Sequence, residues 1–237
     1  MTDQKGLSVF FENFLKQESL FINKKVLQSA YIPNSILHRD ELIDQLAGIL
    51  APALRGERPS NIFVYGRTGS GKSLTIQHVC NNMMEIATKN KLNIKVLYLN
   101  CKMKRVADTE YRLIAQLARE LGEEVPATGL PTDEIYKFFI RSIERDKLML
   151  LIVLDEVDQL VKKIGDEILY SLTRLNIELK YSEISLIGIS NDLSFTDNLD
   201  PRVKSSLSEE EVVFPPYNAL QLQDILKQRA KDAFKIE

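Results

Sequence analysis

Short runs of apolar residues alternate with amphipathic stretches along most of the chain. The apolar runs lie at residues 61–65, 94–100, 148–156, 184–190 and 211–214. Each has the length of a strand and is apolar almost throughout, without the regular polar alternation of a strand that has one solvated face. Runs of this kind are typical of strands buried on both faces of a parallel sheet. The pattern therefore predicts five buried strands.

Between these runs, apolar residues recur at helical spacing. The predicted helices cover residues 40–54, 72–89, 109–121, 132–146 and 166–180, and a further helix begins near Ala219. In the second of them, the inward stripe would be Ile76, Val79, Met83 and Ala87. Strands that alternate with helices indicate an α/β fold, a doubly wound parallel five-stranded sheet with helices on both faces. Residues 1–30 show no strong period, so the pattern assigns no element to them.

Composition limits the partners that such a fold can have. Of the 237 residues, 44% are hydrophobic, which is enough for a sizeable core in one large domain. No apolar run approaches the roughly 20 residues of a membrane-spanning helix, so no membrane partner is expected. The formal net charge of −2 excludes a protein that grips DNA over its whole surface. Any nucleic-acid contact must come from a local patch or from a part outside this chain.

A glycine-rich segment between the first predicted strand and the next helix predicts a phosphate site. It reads Gly66-Arg67-Thr68-Gly69-Ser70-Gly71-Lys72-Ser73-Leu74 and contains the pattern G-x-x-x-x-G-K-[ST]. Glycines let several backbone N–H groups point at the same phosphates, and the helix that begins there adds its positive dipole end. Lys72 would reach the β- and γ-phosphates of ATP, and the Ser73 hydroxyl would ligate Mg²⁺. These nine residues are the predicted nucleotide contacts.

Two acids end the apolar strand at residues 148–156. Ligands of parallel sheets bind where the carboxyl ends of the strands open a crevice. If this strand lies beside the first strand, Asp155 comes close to the Mg²⁺ held by Ser73. Glu156 would then orient and deprotonate a water aimed at the γ-phosphate, which indicates hydrolysis of ATP as well as binding. Asp158 is interpreted as a helix N-cap or a solvated acid rather than a catalytic group.

Two further polar residues are candidates with an ordinary alternative. Asn191 ends the strand at 184–190, where its amide would hold the attacking water or touch the γ-phosphate. Asn-Asp at 191–192 is also a good turn pair. Arg202 follows Pro201 in a predicted loop, from which it would reach the nucleotide of a neighbouring subunit. Its alternative is a surface salt bridge, and the residues alone leave both choices open.

The order of these motifs resembles that of AAA+ ATPases, with Walker A at 66–73 and Walker B at 150–156. The resemblance implies that Glu156 is the catalytic acid/base residue, that Asn191 is the sensor-1 residue and that Arg202 is an arginine finger. It also implies the strand order 5-1-4-3-2.

Several separated segments narrow the resemblance to archaeal origin-recognition/cell-division-control replication initiators. The segments are 29–33, 38–41, 59–66, 125–130, 166–170 and 200–217. In that family the first two line the adenine pocket, which implies nucleotide contacts from Tyr31, Ile32, Pro33, His38 and Arg39. The match runs from about residue 20 to the end of the chain.

This narrower resemblance implies a function and its partners. The protein would be an ATP-dependent initiator that binds duplex origin DNA and helps load the replicative minichromosome maintenance helicase. Other initiator paralogues would be further partners, and the location would be cytoplasmic and nucleoid-associated. ATP/ADP and Mg²⁺ would be the cofactors, with slow hydrolysis as a conformational switch.

The family also carries an extra helix after the second strand that contacts duplex DNA. The corresponding region runs from Cys101 to about Leu121 and supplies Lys102, Lys104, Arg105 and Arg112 as candidate phosphate contacts. Without the resemblance, a short basic patch of this kind is read as a solvated face.

The resemblance also predicts the domain organisation. A base domain would cover residues 1–217, including the N-terminal segment 1–30, and residues 218–237 would begin a helical lid. The winged-helix domain of the family is expected to be absent from this chain.

Two other classes share the ATP motifs. A clamp loader or protein remodeller would need a pore loop or a stable ring, and no aromatic-glycine pore loop stands out between residues 101 and 146. A signalling ATPase that oligomerises on nucleotide would need no DNA. Binding of duplex DNA across salt concentrations separates these classes from an initiator.

Overall fold

A computed structural model describes residues 4–28, 31–33, 35–103, 108–126, 129–207 and 209–235. These residues form two compact units, Arg39–Pro216 and the combination of Met1–His38 with Tyr217–Glu237. Within the described residues, no helix combines the length and the apolarity needed to cross a bilayer.

The described residues contain five strands and nine α-helices. The strands are β1 Asn61–Gly66, β2 Ile94–Asn100, β3 Met149–Asp155, β4 Glu183–Ser190 and β5 Glu209–Phe214. The helices are α1 Gln4–Lys16, α2 Asp40–Leu50, α3 Lys72–Lys89, α4 Glu110–Glu120, α5 Thr132–Asp146, α6 Val157–Ile164, α7 Glu167–Glu178, α8 Pro201–Leu207 and α9 Ala219–Ala233. Short 3-10 helices cover Lys24–Leu27, Ala51–Arg55 and Thr196–Asn198.

The five strands form one parallel sheet in the order β2-β3-β4-β1-β5. Read from the other edge, this is the predicted order 5-1-4-3-2, so the predicted fold class is confirmed. The condition that β3 lies beside β1 is wrong, because β4 lies between them. Since all strands are parallel, their carboxyl ends nevertheless open at the same edge of the sheet.

Apolar side chains cover both faces of the sheet, as a parallel sheet requires. On one face α2 and α3 pack against β1, and the predicted stripe of α3 is buried: Ile76, Val79, Met83 and Ala87. On the other face, α4 to α8 enclose a second cluster that includes Phe139 and Leu172. Each fully buried side chain of this size contributes about 1.5–3 kcal/mol of hydrophobic free energy. The two clusters hold the carboxyl edge of the sheet in a fixed position.

The structure departs from the predicted elements at three helices. The segment predicted as a loop around Arg202 is α8, because Pro201 is well suited to a first helical position and Val203 and Leu207 are buried four residues apart. Helix α6 has eight residues, too few for a clear period. Helix α1 was not predicted, and the statement that residues 1–30 show no strong period is wrong there, because Leu7, Phe10, Phe11, Phe14 and Leu15 recur at helical spacing on one exposed face.

The unit formed by the two chain ends contains α1, the 3-10 helix at Lys24–Leu27, and α9. Phe21 and Phe234 form a β-bridge, and their ring centroids lie 5.0 Å apart. Asn218 and Gln221 form a capping box that fixes the start of α9, as predicted near Ala219. The predicted division into a base domain and the start of a lid stays a prediction.

Candidate nucleotide site

The loop between β1 and α3 is shaped by its glycines. Gly69 and Gly71 have φ angles of 81° and 93°, a conformation that residues with a side chain rarely adopt. At Gly66 a Cβ atom would lie 2.5 Å from the backbone oxygen of Phe214, so only glycine fits. The loop therefore follows a path that glycine alone permits, with room for a group to approach its backbone.

Ser70 lies inside this loop and leaves one polar atom unsatisfied. Its side chain is buried, and its Oγ has no hydrogen-bond partner among the described residues. A buried polar atom without a partner calls for an explanation. A phosphate oxygen bound in the loop would supply the missing partner, so the loop fits the predicted nucleotide.

Lys72 is the first residue of α3, and its ammonium group is buried between the loop and the end of β4. Its Nζ donates to the backbone oxygens of Gly66 at 2.7 Å and Arg67 at 3.0 Å. It also donates to Oδ1 of Asn191 at 2.9 Å. The structure thus brings the predicted phosphate-binding lysine and the predicted sensor into direct contact.

Burial lowers the pKa of the Lys72 ammonium, and the carboxylates of Asp155, Asp158 and Glu156 act in the opposite direction. The lysine therefore lies in a negative field made by these three acids at the end of β3 and the start of α6. A bound phosphate would balance the charge of the Lys72 ammonium, and Mg²⁺ would balance the charge of the carboxylates.

Asp155 ends β3 with its side chain buried. Its Oδ2 accepts a hydrogen bond from the hydroxyl of Tyr98 on the neighbouring strand β2. Burial chiefly raises the pKa of Tyr98, the hydrogen bond to Asp155 and the charge of Asp155 raise it further, and hydrogen bonds to Ser73 and Gln77 lower it. Ser73 and Asp155 are therefore neighbours of the same hydroxyl, although β4 separates β1 from β3.

This arrangement fits the predicted metal. A serine hydroxyl and a carboxylate are oxygen ligands, which Mg²⁺ prefers together with waters and phosphates. Ser73 and Asp155 are the residues that would hold the ion. Tyr98 was not predicted as part of the site, because in the sequence it reads as a core residue of an apolar strand.

Glu156 has a backbone conformation that is rare for its residue type. Its φ and ψ of 57° and 47° place it in the left-handed region. The turn directs the chain from β3 into α6, and the carboxylate lies 3.6 Å from Nζ of Lys102. Non-glycine residues in this region cost about 1–3 kcal/mol and cluster at functional sites. A positive φ, which His38, Lys91 and Lys147 also have, is thus present at the residue predicted to act on water.

Asp158 corrects the interpretation made from the sequence. It is neither solvated nor the N-cap, since its side chain is buried in the first turn of α6 and Glu156 holds the cap position. The Asp158 carboxylate accepts hydrogen bonds from Ser190 at 3.3 Å and from Gln159 at 2.7 Å. It belongs to the polar network beneath the nucleotide site.

Arg39 supports the loop from the opposite side. Its guanidinium is buried and donates to the Ser70 oxygen from Nε at 3.1 Å and Nη2 at 2.8 Å. Nη2 also donates to the Pro215 oxygen at 2.6 Å, and the group lies 5.6 Å from the Phe214 ring centroid. Arg39 therefore links the phosphate loop to the end of β5, and a direct nucleotide contact stays a prediction.

The other predicted adenine contacts lie in the unit formed by Met1–His38 and Tyr217–Glu237. They are Tyr31, Ile32, Pro33 and His38. Nε2 of His38 is 3.2 Å from the carboxylate of Asp224 in the same unit. Their role in binding adenine stays a prediction.

Arg202 lies in the first turn of α8, and its side chain is exposed to solvent. Its Nε is 3.1 Å from Oδ1 of Asp200. The surface salt bridge named as its alternative is thus present, and action on a neighbouring subunit stays a prediction. The same helix face borders an open cleft of about 600 Å³ that is also lined by Arg58 and Arg174.

The candidate DNA contacts are described only in part. The side chain of Lys102 is 73% exposed and is paired with Glu156. Arg112, on α4, pairs with Asp108 at 3.4 Å. Lys104 and Arg105 lie outside the described residues.

Comparison with known proteins gives a consistent result. The model of the AAA domain family matches residues 55–193. The ORC1-type DNA replication protein of Thermococcus onnurineus is 52% identical over 236 residues, which cover 98% of this chain and 56% of the relative. The chain therefore spans about half the length of the curated relatives that it matches.

Solved structures show the same similarity in three dimensions. The Aeropyrum pernix ORC1 protein in complex with DNA has a TM-score of 0.84 and 43% identity, covering 93% of this chain and 56% of that one. The Aeropyrum pernix ORC2 protein in ADPNP-ADP complexes has a TM-score of 0.78 and 26% identity, covering 92% of this chain and 58% of that one. The resemblance to archaeal origin-recognition proteins is thereby confirmed.

Proposed function

Because the chain belongs to the AAA domain family, we propose that it is the ATP-binding part of a DNA-replication initiator. ATP binding would set its conformation, and slow hydrolysis to ADP would reset it. The observation that carries this proposal is the convergence of Lys72, Asn191 and the acids after β3 at one edge of the sheet.

The phosphate loop would hold the nucleotide through its backbone N–H groups and Lys72. On binding, the ammonium would exchange backbone oxygens of the loop for phosphate oxygens. Ser73 and Asp155 would hold Mg²⁺, which neutralises charge on the phosphates when bound. Tyr98 would keep the Asp155 carboxylate oriented through the bond that it already makes.

Glu156 would orient and deprotonate the attacking water, and Asn191 would sense the γ-phosphate. Two observations support this: Asn191 Oδ1 accepts a hydrogen bond from Lys72, and the negative charge of Glu156, after those of Asp155 and Asp158, raises the pKa of Lys72 against the effect of burial. Arg202 would act on the nucleotide of a neighbouring subunit, because its side chain is exposed at the surface beside its ion-pair partner Asp200.

Duplex origin DNA is the proposed ligand of the basic region after β2, at Lys102, Lys104, Arg105 and Arg112. The similarity to an ORC1 protein whose structure was solved with DNA supports this proposal. The replicative minichromosome maintenance helicase and initiator paralogues are proposed as partners of the whole protein.

A salt titration of duplex binding tests the DNA part of the proposal. We expect weak binding by this chain, and about tenfold weaker binding when Lys102, Lys104 and Arg105 are changed together to Ala. Each phosphate contact that is lost should flatten the slope of log K against log salt by about 0.9. Fluorescence anisotropy with a labelled duplex at several salt concentrations measures both quantities.

A matched variant separates local contacts from net charge. Changing Lys89, Lys91 and Lys180 together to Ala removes the same charge from exposed positions. The affinity should stay within about twofold of wild type, and the slope of log K against log salt should change by less than about 0.9, the value of one phosphate contact. Equal losses in both variants would show a nonspecific charge effect. An unchanged slope in the first variant would rule out the region after β2 as the contact and favour a signalling or remodelling ATPase.

A further inference from the structure

Asp158 is a buried carboxylate that none of the steps above uses. Its side chain is 5% exposed, and it lies in the first turn of α6. Its Oδ1 accepts a bond from Ser190 Oγ, and its Oδ2 accepts one from Gln159 and faces Lys162 at 3.6 Å. Both oxygens are thus engaged by the protein itself, which argues against a role as a base or metal ligand.

The bond between Asp158 and Ser190 joins the two segments that carry the proposed catalytic side chains. Ser190 immediately precedes Asn191, and Asp158 follows Glu156 by two residues. Ser190 Oγ also accepts a bond from the backbone N–H of Asp192 at 3.0 Å, and its single proton has two acceptors at 3.3 Å, Asp158 Oδ1 and the Asp192 backbone oxygen. One hydroxyl therefore connects the turn that presents Asn191 to the first turn of α6.

This connection helps to explain how Glu156 keeps its left-handed backbone conformation. A non-glycine residue in the left-handed region persists only where its surroundings fix it. Val157 and Leu160 anchor α6 in the core by apolar contacts, which have little directional preference. The bond from β4 to Asp158 adds a directional contact close to Glu156. It fixes how the start of α6 lies relative to Asn191.

We infer that Asp158 is a positioning residue that holds Glu156 and Asn191 in register through its hydrogen bond with Ser190. The inference rests on the proposed function, since it assigns a task in the same hydrolysis. Both carboxylate oxygens of Asp158 contact protein groups, so the residue would not touch the nucleotide and ATP affinity should depend on it little. Turnover should depend on it strongly, because a displacement of about 1 Å can cost a large factor in rate.

Four variants of the full chain test the inference: Asp158→Ala, Asp158→Asn, Ser190→Ala and Lys162→Ala. For Asp158→Ala we expect kcat to fall about tenfold or more, with the Kd for ATP within about threefold. Asp158→Asn keeps an oxygen that accepts from Ser190, so it should recover most of the rate. Lys162→Ala removes only an exposed partner of the same carboxylate and should stay within about twofold.

The double variant at Asp158 and Ser190 gives a readout that general destabilisation would not produce. If the two residues act through one bond, the double Ala variant should lose no more rate than the worse single variant. Single-turnover ATP hydrolysis and mant-ATP binding measure the rate and the affinity, and thermal unfolding reports any loss of fold.

Three results would overturn the inference: an unchanged kcat in Asp158→Ala, multiplicative losses in the double variant, or a loss of ATP affinity equal to the loss of rate. If Asp158→Ala unfolds, Ser190→Ala decides by the same criteria of rate and affinity, and Asp158→Asn must still recover most of the rate. Wild type and Glu156→Gln are assayed alongside. Wild-type turnover no higher than that of Glu156→Gln would contradict the proposed function, whereas a normal difference between them confines any failure to Asp158.

Discussion

Glu156→Gln is expected to bind ATP normally and to lose turnover by roughly 100-fold or more. General acid–base groups contribute factors of about 10² to 10⁴, and the amide cannot take a proton from water. The substitution conserves shape, so the strained turn after β3 should persist. The ion pair between Glu156 and Lys102 is exposed to solvent at the lysine, so its loss should change the free energy of unfolding little. A phosphate-release assay and mant-ATP binding measure the two quantities.

Glu85→Gln serves as the control for this experiment. Glu85 lies on α3 with an exposed side chain, so the same chemical change there should leave turnover and binding unaltered. Turnover by Glu156→Gln at the wild-type rate would remove Glu156 from the reaction. A loss of ATP binding in that variant would instead give the residue a structural role.

Lys72→Ala is expected to weaken ATP binding by roughly 100-fold or more, equivalent to about 3 kcal/mol. The ammonium is the buried cation at the centre of the loop, and charge-assisted bonds to phosphate are the strong ones. Thermal unfolding is measured alongside, because the substitution also removes the hydrogen bonds from Nζ to Gly66, Arg67 and Asn191. Isothermal titration calorimetry with ATP and Mg²⁺ gives the affinity.

Lys89→Ala provides the comparison, since Lys89 lies at the exposed far end of the same helix. That variant should bind ATP like wild type. Retention of tight ATP binding by Lys72→Ala, with Lys89→Ala equally tight, would contradict the assignment of the phosphate loop.

The sequence predicted the parts of the site that a local motif encodes. Lys72 and its glycines form one short loop between adjacent elements, so spacing alone locates them. The position of Asp155 and Glu156 at a strand end could be predicted because the buried apolar run stops at these two charged residues. Helix α8 was predicted as a loop because seven residues with one apolar repeat, Val203 and Leu207, are too few for a clear helical period.

Residues that depend on distant contacts could not be predicted in the same way. Arg39 bonds to Pro215, 176 positions along the chain, and its burial follows from that contact. Tyr98 meets Asp155 only because β2 pairs with β3. Asp158 looked solvated because short acidic turns usually are, and the bond from Ser190 becomes visible only once β4 lies beside α6.

The central claim is that the phosphate loop and the acids after β3 meet around one metal–triphosphate. The most direct test is a crystal structure with a non-hydrolysable ATP analogue and Mn²⁺ in place of Mg²⁺, with the metal located by anomalous scattering. We expect one anomalous peak about 2.1 Å from Ser73 Oγ, next to Asp155, with the phosphates in the loop at 67–71. A peak bound elsewhere, or a nucleotide outside that loop, would contradict the account.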